Sequence, residues 1–91
     1  MAVVMCAYCG SRAVNLDHVV PKSYRRKAAI HPVLAGTVPA CFRCNSLKGT
    51  RRLIPESWAD KLTLLSMEYP GTPWRIWDGD PMSPAFREVH L

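Results

Sequence analysis

The sequence lacks any apolar run approaching the roughly 18 residues that a membrane-spanning helix requires, so no membrane role is expected of it. Acids are missing where bases gather: from Arg12 to Arg52 the only carboxylate is Asp17. Cysteine is absent outside two C-x2-C pairs. There is no repeat beyond those pairs, no low-complexity tract and no linker that would separate two domains. Met1–Met5 is apolar but too short for a signal peptide and has neither basic flank nor small-residue cleavage site, which points to the reducing cytoplasm. With 91 residues the chain is read as one domain, and a domain of this size buries only about 60% of the surface its unfolded chain exposes. A core so small calls for an added cross-link. Eight prolines, five glycines and short apolar runs argue for a loop-rich fold and against a helical bundle.

The net charge of +5 is unevenly spread. Nine basic residues (Arg12, Lys22, Arg25, Arg26, Lys27, Arg43, Lys48, Arg51 and Arg52) stand in the segment that holds Asp17 alone, whereas the remainder is net acidic. Segregation of this kind suits a polyanion, because each phosphate neutralised releases condensed counterions. The alternative is a solvated basic face.

Cys6-Ala7-Tyr8-Cys9 and Cys41-Phe42-Arg43-Cys44 are separated by 31 residues. Two thiolates three positions apart on a tight turn can both reach one ion at about 2.3 Å, and two such knuckles complete a closed tetrahedral shell. Gly10, directly after the first pair, suits a left-handed turn. A closed four-cysteine site is structural and supplies folding free energy that the core cannot. Zinc is therefore the expected ion. Two disulfides would need an oxidising compartment, and a redox C-x-x-C would occur once in a βαβ pattern.

Between the knuckles, Ala13–Val20 reads as a strand stopped by Pro21, and Thr37–Ala40 as a second, shorter one. The stretch from Lys22 to Gly36 reads as a basic loop with a helical turn around Lys27–Ile30. Asn45-Ser46-Leu47-Lys48 reads as the first turns of a helix that the knuckle nucleates and Gly49 ends. A second helix is expected from Glu56 to about Tyr69, with Trp58, Leu62 and Leu65 forming a core stripe that Leu64 and Met67 widen. Beyond Pro70 an irregular, extended tail laid over the body is expected.

Leu16-Asp17-His18-Val19-Val20-Pro21, followed by Val38-Pro39-Ala40-Cys41-Phe42-Arg43-Cys44-Asn45-Ser46-Leu47-Lys48-Gly49, resembles the HNH endonuclease family in its version braced by two cysteine pairs. The first segment is similar to that family's D-H-[IV]-[IV]-P and the second to its C-x2-C-N-x2-K-G. The resemblance covers about residues 6–55, with 56–91 as an added helix and tail. It implies an α+β fold of the small ββα-metal, treble-clef-like kind, in which a hairpin and a helix clasp one divalent ion, and it implies hydrolysis of phosphodiester bonds in DNA. His18 matches the general base, and imidazole changes charge near neutral pH. Asp17 and Asn45 match the oxygen ligands of the catalytic ion, a donor set that suits magnesium or manganese. Lys48 shares a helix face with Asn45 and is expected to bind a phosphate oxygen, with Arg51, Arg52, Arg25, Arg26 and Lys27 extending that contact. Small free-standing members are often carried by phages, some beside DNA-packaging genes. Many members have an asparagine nine positions before the helix asparagine. Here that position is Gly36, free to adopt a positive φ but without a side-chain hydrogen bond, and Thr37 is the neighbour that could compensate.

Other readings stand beside these. A non-catalytic, zinc-stapled nucleic-acid-binding module would use Asp17 and Asn45 only to fix local structure. His31 and His90 have no spacing that implicates them. Trp74 and Trp77 resemble a base-stacking pair, but packing of the tail onto the small core is the stronger reading. Oligomeric state and cleavage specificity have no signature in the sequence.

Overall fold

The computed structural model describes residues 3–25 and 32–87. It is a small α+β chain with a hairpin, two helices and a second pair of very short strands. Strands β1 (Asn15–His18) and β2 (Thr37–Ala40) pair antiparallel, with Asp17 opposite Val38 and His18 opposite Thr37. Helix α1 (Phe42–Lys48) follows β2 directly. Strand β3 (Leu53–Ile54) leads into a 3-10 turn, Glu56–Lys61, that runs straight into helix α2 (Leu62–Glu68). Strand β4 (Arg75–Ile76) then pairs parallel with β3. Among the described residues no helix is long and apolar enough to cross a membrane.

Strand β1 is shorter than the run of β-branched residues suggests, and its polarity is inverted. Val14 and Leu16 face solvent while Asp17 is buried. Val19 and Val20 are consecutive and both buried, which a continuing strand with alternating sides cannot achieve. The strand therefore ends at His18 so that both valines can enter the core.

Helix α1 starts three residues before Asn45, at Phe42, because the second knuckle supplies its cap. The Cys41 sulfur accepts a hydrogen bond from the Cys44 N–H at 3.3 Å, satisfying a donor that the first turn leaves open. Gly49 ends the helix at φ 51°, its N–H donating to the Asn45 carbonyl at 3.1 Å. Cys44 and Lys48, four apart, form the buried face.

The segment expected as one helix from Glu56 is 3-10 in its first half. Trp58 is buried there with the Lys61 ammonium 3.9 Å from its ring centroid, and Leu65 anchors α2. Met67, expected to widen the stripe, is exposed.

The tail is laid over the body, as expected, and part of it is a strand. Arg75 N–H donates to the Arg52 carbonyl and Trp77 N–H to the Ile54 carbonyl, both at 3.0 Å, which forms the β3–β4 pair. Trp74 packs against Tyr24 and Tyr69, whereas Trp77 lies 5.6 Å from Tyr8 and 5.3 Å from Phe86, centroid to centroid. Both tryptophans belong to the core. A two-residue strand carries no periodicity, so the register of these aromatics was not readable from sequence. The helical turn expected at Lys27–Ile30 lies outside the described residues.

Two glycines are held by close approach. Gly79 has φ 86°, and a Cβ there would meet the Cys9 Cβ at 2.6 Å and the Cys9 nitrogen at 2.9 Å. Gly36 does not have the positive φ its place in the motif suggested; a Cβ there would lie 3.2 Å from Cζ2 of Trp58. Gly79→Ala is expected to lower unfolding free energy by about 2–4 kcal/mol, since overpacking and left-handed strain combine. Gly36→Ala should cost visibly less, because an indole edge yields more readily than backbone. Denaturant unfolding of both variants checks the order; equal losses would contradict it.

Candidate metal centre and hairpin–helix site

The cysteine cluster is built from two turns brought together by β2. In the first, Gly10 N–H donates to the Cys6 carbonyl at 3.1 Å, and Gly10 sits at φ 78° as its position implied. Ala7 N–H donates to the Pro39 carbonyl at 2.9 Å, tying this knuckle to the strand that leads into the second. In each knuckle a backbone N–H points at the first sulfur: Tyr8 N–H to Cys6 Sγ at 3.4 Å and Cys44 N–H to Cys41 Sγ at 3.3 Å. Such donors stabilise thiolate charge.

All four cysteines are free of disulfides, and the sulfurs of Cys6, Cys9, Cys41 and Cys44 lie within 4.8 Å of one another. The Cys9 and Cys41 sulfurs are 3.6 Å apart. Four bonds of about 2.3 Å to one tetrahedral ion would hold sulfurs about 3.8 Å apart. The cluster therefore fits zinc. Burial raises the Cys9 thiol, but hydrogen bonds from the Ser11 hydroxyl and amide and from Cys44 and Cys41 outweigh it, lowering the group to about 6. Cys44 is pushed up by burial and by its crowding against the other thiols. Thiolates this close repel one another, and a bound cation relieves that repulsion. The docked tail completes the enclosure, with Gly79 against Cys9 and the Arg43 Nη1 donating to the Gly79 carbonyl at 3.3 Å.

The residues of the D-H and C-N-x2-K segments are arranged less simply. Asp17 is 5% exposed and Lys48 is fully buried. Their ion pair measures 3.1 Å from Nζ to Oδ2, with a longer 3.4 Å contact to Oδ1. The same ammonium donates to the Val19 carbonyl at 3.1 Å and the His18 carbonyl at 3.4 Å. The Tyr8 hydroxyl donates to Asp17 Oδ2. Burial lowers the Lys48 ammonium, and Asp17 opposes that shift. Tyr8 is raised by burial first and then by the Asp17 charge and hydrogen bond, so its hydroxyl stays protonated. Thus one residue from each knuckle's turn or helix grips the same carboxylate.

His18 and Asn45 are half-buried, and neither side chain has a hydrogen-bond partner among the described residues. Strand alternation turns His18 away from the side to which Asp17 points. Lys48, expected at a phosphate, is turned inward. Arg51 lies with its guanidinium carbon 4.4 Å from the Phe86 ring centroid and donates to the Leu47 carbonyl at 3.0 Å. Arg52 contacts the Tyr24 hydroxyl at 3.5 Å. Arg26 and Lys27 lie outside the described residues, and the structure describes only the backbone of Arg25, at the end of a 3-10 turn. Thr37 is exposed.

A divalent ion at Asp17 would meet a carboxylate already shared by a tyrosine hydroxyl and an ammonium. Oxygen ligands must approach such ions to about 2.0–2.6 Å. With the Lys48 charge about 3 Å from the same oxygens, the repulsion is severe in a buried setting. These donors do not fit a divalent ion at Asp17. Tyr8 and the inward turn of Lys48 are what sequence reading missed. One signal was present: Lys48 is four residues beyond Cys44, which the two C-x2-C pairs turn inward toward the other three cysteines, so it shares the inward face.

Compared with protein-family models, with curated proteins and with solved structures, the chain matches none.

Removing one member of a buried ion pair strands the other. Asp17→Asn and Lys48→Met are each expected to cost about 3–5 kcal/mol of stability, and the double variant much less than their sum. Denaturant unfolding of all four proteins measures this coupling; additive losses would show that the pair contributes nothing as a pair.

Proposed function

We propose that this chain is a DNA endonuclease of the HNH type, its hairpin and helix braced by zinc in the four-cysteine cluster and acting in a reducing, cytoplasmic setting. The observation that carries the reading is the contrast at the hairpin–helix junction. Asp17, Lys48 and Tyr8 are mutually satisfied, whereas the His18 imidazole and the Asn45 amide, the two other residues of the motif, are half-buried and unengaged among the described residues. Polar side chains held at a rigid junction without a partner are available to a ligand.

His18 in this role accepts a proton from water as its oxygen attacks phosphorus and the P–O3′ bond breaks, the leaving 3′-oxygen taking a proton from solvent, while the basic segment offsets the negative charge on the phosphate. The hydrogen bond from Lys48 to the His18 carbonyl fixes the backbone from which the imidazole projects. Arg51 and Arg52, which contact Phe86 and Tyr24, are the cations assigned here to the phosphate backbone, with Arg25, Arg26 and Lys27 adding to the basic segment. Magnesium or manganese is the ion to supply in the assay, with Asn45 the unengaged oxygen donor of the pair Asp17 and Asn45.

One observation favours a second reading, the zinc-stapled nucleic-acid-binding module that does not cleave: the Asp17 carboxylate is committed to Lys48 and Tyr8. Supercoiled plasmid incubated with the zinc-loaded protein and magnesium or manganese separates the two. Nicking that falls about 100-fold or more in His18→Ala supports the enzyme, that being the usual contribution of a general base. Retained DNA binding with intact plasmid supports the module.

Zinc has its own test. Purified protein should contain one zinc per chain, and Cys44→Ser should lose both the metal and the cooperative unfolding transition, because it removes one of the four clustered sulfurs at a fully buried position. A folded, metal-free Cys44→Ser would sink the assignment.

A further inference from the structure

We propose that the cation held by Asp17 is the Lys48 ammonium and not a divalent ion, so that both residues position His18 instead of binding metal. The proposal rests on the reading of His18 and Asn45 as site residues and revises the part that the resemblance assigns to Asp17.

The surroundings of the Lys48 Nζ are those of a cation site. Four oxygens face it: Asp17 Oδ2 at 3.1 Å, Asp17 Oδ1 at 3.4 Å, the Val19 carbonyl at 3.1 Å and the His18 carbonyl at 3.4 Å. An ammonium has three protons and no acceptor, so this all-oxygen cage satisfies it. One carboxylate charge balances one ammonium charge. A divalent ion in addition would leave the cage with excess positive charge in a place where Lys48 is fully buried and Asp17 nearly so. Lysine is also tethered through α1 to the Cys41 cap and Cys44, so its ammonium is present at an effective concentration no dissolved ion matches. The Tyr8 hydroxyl closes Oδ2 from the other side.

The chemical consequence concerns His18. Its carbonyl and that of Val19 are held by the ammonium, its neighbour Asp17 is held by two side chains, and β1 ends at this residue. The position and tilt of the imidazole follow from that grip. Asp17 and Lys48 thereby act through His18 and touch neither water nor phosphate.

The test uses the zinc-loaded full chain and manganese alone, followed by titration of free Mn2+ by electron paramagnetic resonance. Asp17→Asn is expected to keep Mn2+ affinity within about threefold of the parent. Lys48→Met, which vacates the cage and leaves the carboxylate, is expected to bind Mn2+ about tenfold or more tightly than the parent and to gain thermal stability when Mn2+ is added. A tenfold weakening in Asp17→Asn, or no gain in Lys48→Met, overturns the proposal. Because either variant can fail to fold, the unsubstituted protein supplies a third measurement. Adding Mg2+ should leave the Lys48 ammonium and Asp17 carboxyl NMR resonances in place. Their saturable displacement by Mg2+ would refute the assignment. None of these readouts uses cleavage, so absence of nicking would defeat the nuclease reading and leave this one standing.

Discussion

Four sulfurs must meet at one point although the two turns that carry them are separated by a hairpin, and this constraint organises the rest of the molecule. To satisfy it, β2 has to deliver Cys41 beside the first knuckle, which the hydrogen bond from Ala7 N–H to the Pro39 carbonyl secures. The same convergence fixes where α1 starts, since the Cys41 sulfur both faces the cluster and caps the helix. Asn45 is bonded to Cys44, so its place relative to β1 is inherited from the cysteine cluster. In a chain this short, hydrophobic burial alone would leave that geometry loose.

A second tie, electrostatic instead of coordinative, crosses the same junction. Lys48 extends from the end of α1 and Tyr8 from the middle of the first knuckle, and both end on Asp17. A buried ion pair of this type contributes little net stability compared with an apolar pair, but it defines register sharply because displaced partners would be charged and alone. It explains why β1 runs against its own hydrophobicity. Leu16 is turned to solvent and Asp17 to the interior because the cation and hydroxyl lie on that side.

What was legible in the sequence follows from the range of the forces involved. Spacing made the cysteine cluster readable, and the left-handed turn at Gly10 and the helix stop at Gly49 are local chemistry. Strand β2 carried its own pattern and appears at the expected residues. Contacts between distant positions were not readable. The grip on Asp17 joins residues 8, 17 and 48, and no local rule selects that combination. The start of α1 at Phe42 depends on a thiol acting as cap, a role usually taken by oxygen. The β3–β4 pair has two residues a side, too few for alternation, and Gly36 was read through its motif position when its actual constraint is the Trp58 ring.

The contact of Gly79 with Cys9 has a kinetic meaning. Residues 74–86 are pinned to the body by Trp77 against Tyr8, by the pairing of β4 with β3 and by the Arg43 contact to Gly79, while the Trp77 Nε1–H donated to the Asp80 carbonyl at 2.8 Å holds the segment's own turn. Cys9, the least buried of the four cysteines, is the one whose backbone and Cβ this segment approaches, at Gly79. An ion held by the cluster would be reached through local undocking of this segment before global unfolding. The lifetime of such an ion would then depend on the docking of residues 74–86 as well as on the stability of the fold.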